Sequence, residues 1–369
     1  MKKIYIWQQK DWTNFKWDDK IISYQLGKVR ALQGRLVGKM SALGFDLKNK
    51  AILDTLTTEV TKSSEIEGEI LDSDQVRSSV ARHLGMDISG LTEVDRYVDG
   101  VVEVMIDATQ NYNLPLSEER LFGWHAALFP TGRSGMHKIT VGDWRKDEGG
   151  AMQVVSGAMG KEKVHYQAPD SLAVPKEMST FLSWVNDDNK IDPVLKAAIA
   201  HLWFVTIHPF DDGNGRIART IADMFLTRAD EIPHRFYSMS SQIRKQRKQY
   251  YDILEKTQKG SPDITEWLTW FLDCLEIALI DAESSLGRVL LKANFWEKNR
   301  LVSMNDRQTK MVNLLWDGFE GKLTSSKWAK INKCSTDSAL RDIQDLINKG
   351  VLQKTDEGGR STNYELIEE

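Results

Sequence analysis

Residues 207–220 have the sequence IHPFDDGNGRIART and connect two apolar segments with helical spacing, 195–206 and 217–226. A Gly-Asn-Gly turn at this point exposes backbone N–H groups at the start of the second helix, where the positive end of the helix dipole also lies. The turn therefore predicts an anion site built from Gly213, Asn214 and Gly215.

Charged or titratable side chains flank the predicted anion site. Arg216 and Arg219 are three residues apart, so they share one helix face and can both reach a bound polyphosphate. Asp212 is placed to hold a Mg²⁺ ion that bridges phosphates, since such an ion takes few carboxylates. His208 lies where it could take a proton from an attacking hydroxyl, and Phe210 is expected to point into the core. Singly, each residue is more often structural, but together they favour a catalytic site.

This stretch resembles the signature of the Fic family. The signature is His, any residue, Phe, any residue, Asp or Glu, Gly-Asn-Gly-Arg, two residues and Arg, and the segment from His208 to Arg219 meets every specified position. Residues 121–125 resemble the family's early helix, residues 141–145 its Gly-Arg turn, and residues 152–169 the flap that docks a target segment. The resemblance is strong over about 115–230.

The resemblance implies a protein adenylyltransferase that uses Mg²⁺ to transfer AMP from ATP to a Ser, Thr or Tyr hydroxyl of a target protein and to the protein itself. The roles that it implies are His208 as general base, Asp212 as Mg²⁺ ligand, Gly213, Asn214 and Gly215 as the cradle of the α- and β-phosphates, Arg216 on the β-phosphate side and Arg219 on the γ-phosphate.

The type of group transferred depends on residue 215 and on the base. A glycine at 215 fits the AMP-transferring branch, because the branch that transfers the terminal phosphate carries lysine there. Transfer of another nucleotide, or of phosphate, stays open because the anion site contacts phosphates and not the base. Tyr250 or Tyr251 is expected to contact the adenine.

A second motif resembles the family's inhibitory pattern of Ser or Thr, three residues, Glu, then Gly or Asn. Residues 63–68 (SSEIEG) place Ser63, Glu67 and Gly68 at its defining positions. A Glu67 carboxylate delivered to Arg219 would form an ion pair and remove the group that binds the γ-phosphate. The glutamates at 65 and 69 are alternatives for this role. The same glutamate supports removal of AMP in some relatives, and the sequence leaves that activity open.

The predicted fold class is mainly α, with a Fic-type helical core, a small β-hairpin flap and a C-terminal winged helix-turn-helix of α+β type. Three regions follow along the chain. They are an N-terminal helical region at 1–91 that holds the inhibitory motif, a Fic catalytic domain at 92–295 with its core at 115–230 and its flap at 152–169, and a winged helix-turn-helix-like domain at 296–369.

Composition restricts the location and the partners of the protein. Only two cysteines occur, without metal-ligand spacing, so we expect a cytoplasmic protein that lacks disulfides and zinc. No run approaches the ~20 apolar residues that a membrane helix needs. A formal net charge of −4 gives no global attraction to nucleic acid or membrane, and a homodimer stays open.

The alternative function is a DNA-binding transcriptional regulator whose Fic core is a sensor or is silent. Its support is a set of polar and basic residues on the predicted recognition helix and wing, namely Thr336, Ser338, Arg341, Lys354 and Arg360. Acidic residues lie among them, so the charges of this region nearly balance. Because neutralisation of the phosphate backbone dominates DNA affinity, such a module would bind DNA weakly.

Overall fold

The chain divides into two compact units, Met1–Ala282 and Glu283–Glu369. The computed structural model describes residues 5–88, 90–147, 150–157, 161, 163–188, 190–316, 318–319, 321–355 and 362–367. The boundary between the units falls within one long helix, Thr265–Lys298.

The first unit is mainly helical, as the sequence predicts. Its helices in chain order are α1 (Asp19–Ser41), α2 (Phe45–Ile66), α3 (Ser73–His83), α4 (Arg96–Gln110), α5 (Glu118–Leu128), α6 (Val174–Asn186), α7 (Pro193–Ile207), α8 (Asn214–Asp230), α9 (Met239–Lys245), α10 (Arg247–Gln258) and α11 (Thr265–Lys298). Short 3₁₀ helices cover Ile6–Gln8 and Ser171–Ala173.

Helices α7 and α8 pack against each other at the centre of this unit. Asp192 caps α7 by accepting a hydrogen bond from Val194 N, Pro193 occupies its first turn, and every later residue of the helix is buried. The connection between the helices begins at His208 (φ +54°) and ends at Gly213 (φ +79°). Two left-handed residues therefore reverse the chain within the loop that carries the predicted site.

The strands of the first unit form two antiparallel hairpins. Strands β1 (Arg133–Ser134) and β2 (His137–Lys138) pair with each other, as do β3 (Gln153–Ser156) and β4 (Lys163–Gln167). The β3–β4 hairpin confirms the strands that the sequence predicts for the flap. The glycines at 157 and 160 predict a turn between these strands, and residues 158–160 and 162 lie outside the described residues.

Helix α2 extends further than its hydrophobic periodicity predicts. Apolar residues at helical spacing over about 47–60 predict a helix that ends near residue 60, and Gly68 at the end of the following polar stretch is predicted to act as a helix stop, but the helix continues to Ile66. Ser63 and Ser64 are buried, so these polar residues belong to a protein-facing turn and not to a solvated connector. Gly68, at φ +89°, follows the helix end as predicted.

After the C-terminal part of α11, the described residues of the second unit form three short helices followed by a hairpin. They are α12 (Asp306–Trp316), α13 (Ser325–Asn332), α14 (Thr336–Asn348), β5 (Leu352–Lys354) and β6 (Tyr364–Leu366). Ser335 caps α14 by accepting a hydrogen bond from Ser338 N, as expected from its type. Trp328, Met311 and Ile343 belong to the buried core of this unit.

Within the part of the chain that the structure describes, no helix combines the length and the apolar character that crossing a membrane requires.

The contact between α4 and α5 predicts a strong effect of one methyl group. A Cβ added at Gly100 would lie 2.2 Å from the carbonyl oxygen of Ala127, which is backbone and cannot move away easily. We expect Gly100→Ala to lower the free energy of unfolding by about 1–3 kcal/mol. Gly123→Ala, in α5 with nothing within 4 Å of the new Cβ, is the matched control and should leave stability equal or higher. Urea unfolding of both variants measures this, and equal losses would contradict the packing argument.

Candidate active site

His208 is held in one orientation at the C-terminal end of α7. Its Nδ1 lies 3.1 Å from the carbonyl oxygen of Val205, and its own carbonyl accepts a hydrogen bond from Arg145 Nε at 2.7 Å. Donation from Nδ1–H to Val205 leaves the Nε2 lone pair to take a proton. Burial lowers the pKa of His208 to about 4, so the imidazole is neutral near pH 7.

Two buried residues build the loop between α7 and α8. Phe210 is fully buried and stacks on His125 with ring centroids 4.1 Å apart, as the prediction of an inward-pointing side chain requires. The Asn214 amide donates to the carbonyl oxygen of Phe210 at 2.8 Å and accepts from its N–H at 3.0 Å. Because both ends of this amide bind the loop itself, the Asn214 side chain holds the loop in shape.

Asp212 lies beside the start of α8. Its Oδ1 accepts a hydrogen bond from Gly213 N at 2.6 Å, and its Oδ2 accepts one from the Ser134 hydroxyl. The described residues contain no group of three or more His, Cys, Asp or Glu side chains arranged around a metal. A single carboxylate next to a phosphate site nevertheless fits Mg²⁺, which usually binds one or two carboxylates and completes its shell with phosphates and water.

The N-terminus of α8 is suited to an anion. Its N-cap residue, Gly213, has no side chain to cap the first N–H groups, and glycines stand on both sides of Asn214. A Cβ at Gly213 would lie 2.8 Å from the Phe129 ring, and one at Gly215 would lie 2.2 Å from Glu67 Oε1. The Glu67 carboxylate therefore already lies against this helix N-terminus, where an anion is favoured.

Glu67 forms an ion pair with Arg219. The Nη1 of Arg219 lies 2.8 Å from Glu67 Oε1, and the arginine side chain is only 2% exposed. Ser63 completes the arrangement, because Arg219 also donates to its hydroxyl at 3.0 Å and to its carbonyl at 2.9 Å. Burial raises the pKa of Glu67, but the charge and hydrogen bonds of Arg219 outweigh burial and hold it below its usual value.

The two other glutamates of the segment bind different cations. Glu69 Oε2 lies 2.8 Å from Arg216 Nη1, and Glu65 pairs with Lys62 at 2.6 Å. The sequence predicts Glu69 only as an alternative partner of Arg219. The contact of Glu69 with Arg216 was therefore not predicted. Neighbouring carboxylates at the end of a helix diverge, and sequence spacing alone does not say which arginine each one reaches.

The two tyrosines proposed to contact adenine have different surroundings. Tyr250 is 1% exposed, and its hydroxyl hydrogen bonds His201 Nε2 at 2.9 Å. Tyr251 lies at the site, with its hydroxyl 3.2 Å from Glu67 Oε2. One turn later on α10, Glu255 Oε2 lies 2.6 Å from Nδ1 of His165, which belongs to the flap strand β4. Helix α10 thus contacts both the carboxylate and the flap.

The residues named for DNA contact lie in the second unit. Thr336 and Arg341 are exposed on α14, and Lys354 is exposed on β5, while Arg360 lies outside the described residues. Acidic side chains occupy the same helix, and one of them, Asp342, pairs with Arg307 at 2.7 Å. Helix α14 therefore carries three acidic side chains, Asp337, Asp342 and Asp345, beside the single basic side chain of Arg341.

Residues 115–226 match the sequence model of the Fic/DOC family. This region of the chain is therefore similar to the Fic/DOC family domain. Residues 5–86 match a second model, which is described as a domain of unknown function (DUF4172). The first match covers the loop from His208 to Arg219, and the second covers the segment that holds Glu67.

Relatives named "Protein adenylyltransferase Fic" are similar to parts of this chain. The protein from Culex quinquefasciatus is 28% identical over 247 residues, which are 66% of this chain and 44% of the relative. The protein from Drosophila mojavensis is 37% identical over 113 residues, 30% of this chain and 20% of the relative. The chain thus spans less than half the length of these relatives.

One solved structure is similar over nearly the whole chain. A Fic family protein from Desulfovibrio desulfuricans matches with a TM-score of 0.53 and 19% identity, covering 94% of this chain and 96% of that one. At this level of identity the comparison supports the fold alone, which is the helical fold that the sequence predicts.

The loop geometry predicts that Asn214 is required for stability as well as for the site. Asn214→Ala removes two buried hydrogen bonds and leaves the N–H and carbonyl of Phe210 without their partner. We expect a loss of about 2–4 kcal/mol in the free energy of unfolding. The control is Asn14→Ala at an exposed position, which should change it by less than about 0.5 kcal/mol. Thermal unfolding measures the stability of both variants. An Asn214→Ala variant that is as stable as the wild type would contradict the role assigned to Asn214.

Proposed function

We propose that this chain is a protein adenylyltransferase that moves AMP from ATP to a hydroxyl of a target protein and to itself. The observation that carries the proposal is the loop between α7 and α8. It presents an oriented, neutral His208, a helix N-terminus suited to an anion and two buried arginines, Arg216 and Arg219. These are the groups that transfer from a nucleoside triphosphate needs for proton removal and for stabilisation of charge.

In the proposed reaction the backbone of residues 213–215 binds the α- and β-phosphates. Arg216 contacts the β-phosphate side, and Arg219 contacts the γ-phosphate. His208 Nε2 takes the proton of the attacking Ser, Thr or Tyr hydroxyl, whose oxygen bonds to the α-phosphorus as the bond to the leaving pyrophosphate breaks. Asp212 would hold Mg²⁺, which supplies positive charge for the phosphate oxygens.

Autoinhibition is the second part of the proposal. The Glu67 carboxylate binds Arg219 and lies against Gly215, so it occupies space and a partner that the triphosphate needs. Productive binding of ATP then requires that Glu67 leave. Glu67 lies close to the site and is held there by Arg219 and Tyr251. The same proposal therefore gives Glu67 a second role, which is to orient a water molecule for the removal of AMP.

The surroundings of the catalytic domain are proposed from the sequence pattern. We assign an N-terminal regulatory region to 1–91, the catalytic domain to 92–295 and a winged helix-turn-helix to 296–369. Cys274 and Cys334 are free thiols, which suits a reducing cytoplasm. The alternative of a DNA-binding regulator is not favoured, because the relatives are named as adenylyltransferases and α14 carries more acidic than basic side chains.

Label transfer tests the proposed activity. Purified wild type, Glu67→Gly and Glu67→Gly/His208→Ala are incubated with Mg²⁺ and ATP labelled at either the α- or the γ-phosphate. We expect α-label on protein, at least tenfold more with Glu67→Gly than with wild type, because the single substitution releases Arg219. The double variant should retain none, because its base is absent.

Two results would contradict this proposal. Retention of γ-label would mean transfer of phosphate in place of AMP. Absence of label in every variant, with cell lysate present as a source of targets, would remove the transferase activity. A Glu65→Gly variant serves as the matched control. Because Glu65 pairs with Lys62, this substitution should leave label transfer at the wild-type level.

The pH dependence of transfer follows from His208. Burial depresses its pKa from 6.5 to about 4, and the neutral imidazole is the form that accepts a proton. The rate for Glu67→Gly should therefore persist as pH falls through 6 and decline only near about 4. Initial rates between pH 4 and 8, on protein shown by circular dichroism to remain folded, measure this. A decline centred near 6.5 would mean that His208 is not desolvated as described.

A further inference from the structure

Arg216 and Tyr97 together bind one carboxylate oxygen. Arg216 Nη1 donates to Glu69 Oε2 at 2.8 Å and to the Tyr97 hydroxyl oxygen at 2.9 Å. The Tyr97 O–H donates to the same Oε2. Two donors from α8 and α4 thus converge on a single anionic oxygen, which is the geometry of a small anion-binding subsite.

We propose that the Tyr97 hydroxyl is a further ligand of the phosphate that Arg216 binds in the proposed reaction, and that Glu69 fills this phosphate subsite in the structure. The inference rests on the proposed binding of a nucleoside triphosphate and adds Tyr97 to its ligands. Glu69 withdraws when a phosphate oxygen takes its place. The Tyr97 hydroxyl then donates to that oxygen.

The arginine of the subsite and the glutamate that fills it differ in their exposure to solvent. The Arg216 side chain is 5% exposed, whereas that of Glu69 is 41% exposed. Among the described residues Arg216 Nε is buried without a hydrogen-bond partner, and the guanidinium lies 5.0 Å from the centre of the Phe129 ring. The arginine is therefore fixed and incompletely satisfied, while its carboxylate is a solvent-accessible group that contributes little to stability. Such an occupant is readily displaced by a more highly charged phosphate.

The end of α2 delivers Glu67 and Glu69 to two different arginines. Gly68 lies between them at φ +89°, and the N–H of Glu69 bonds the carbonyl oxygen of Ser64 at 3.1 Å. This reversal sends one carboxylate to Arg219 and the next to Arg216. Both subsites are therefore filled by one turn of chain, and release of that turn opens both.

Tyr97 distinguishes a phosphate subsite from a simple structural ion pair. Burial raises the pKa of its hydroxyl, so the group stays protonated and can donate. If Tyr97 only supported Glu69, its loss would have no effect on ligand binding once Glu69 is neutralised. If Tyr97 is a ligand of phosphate, its hydroxyl strengthens phosphate binding even when Glu69 is neutralised.

The test uses inorganic tripolyphosphate with Mg²⁺ as probe and titration calorimetry as readout, on the full chain in the Glu67→Gly background. We expect Glu69→Gln to raise the affinity about two- to tenfold, because it removes the competing charge. Adding Tyr97→Phe to Glu69→Gln should then lower the affinity about two- to tenfold through the lost hydrogen bond.

Matched controls are Glu65→Gln, whose carboxylate pairs with Lys62, and Tyr24→Phe at a position that is 74% exposed. Neither should alter the affinity. An affinity that is the same with Glu69→Gln as with Glu65→Gln would overturn the subsite, and so would a Tyr97→Phe variant that binds as well as its parent. If no label is transferred while these affinities change as expected, the phosphate subsite is supported and the proposed transferase activity is contradicted.

Discussion

The buried guanidinium of Arg219 is the constraint on which the site depends. A charged group that is 2% exposed needs an anionic partner, since leaving it unpaired in the interior is costly. Glu67 supplies that partner here, and Ser63 fixes the direction of the arginine. A terminal phosphate is the other anion that fits the proposal. In the proposed function, the carboxylate of Glu67 and the terminal phosphate therefore compete for this one buried charge.

Around this pair, rigid elements orient the remaining groups. His208 and Gly213 occupy left-handed conformations that turn the loop, and the stacking of Phe210 on His125 anchors its middle. Asn214 closes the loop with its side chain and leaves its backbone at the helix N-terminus. The proposed chemistry thus rests on a loop fixed from within and on the end of α2, where Arg219 binds both the side chain of Glu67 and the backbone carbonyl of Ser63.

Much of this arrangement could be predicted from the sequence because its determinants are local. The Gly-Asn-Gly turn at 213–215, the inward Phe210 and the β3–β4 hairpin each follow from short-range chemistry. The extension of α2 to Ile66 was missed, because buried serines resemble a polar connector until their partners are known. The Glu69 contact and Tyr97 join segments far apart in sequence, so no local pattern indicates them.

The most direct test of the account is a crystal structure of the Glu67→Gly variant with Mg²⁺ and a non-hydrolysable ATP analogue. We expect the γ-phosphate to lie within hydrogen-bonding distance of Arg219 Nη1, in the place of the carboxylate, with the α-phosphorus facing His208 Nε2. A nucleotide bound with Arg219 still turned to Ser63 alone, and with its α-phosphorus away from His208, would contradict the claim that one buried arginine selects between carboxylate and phosphate.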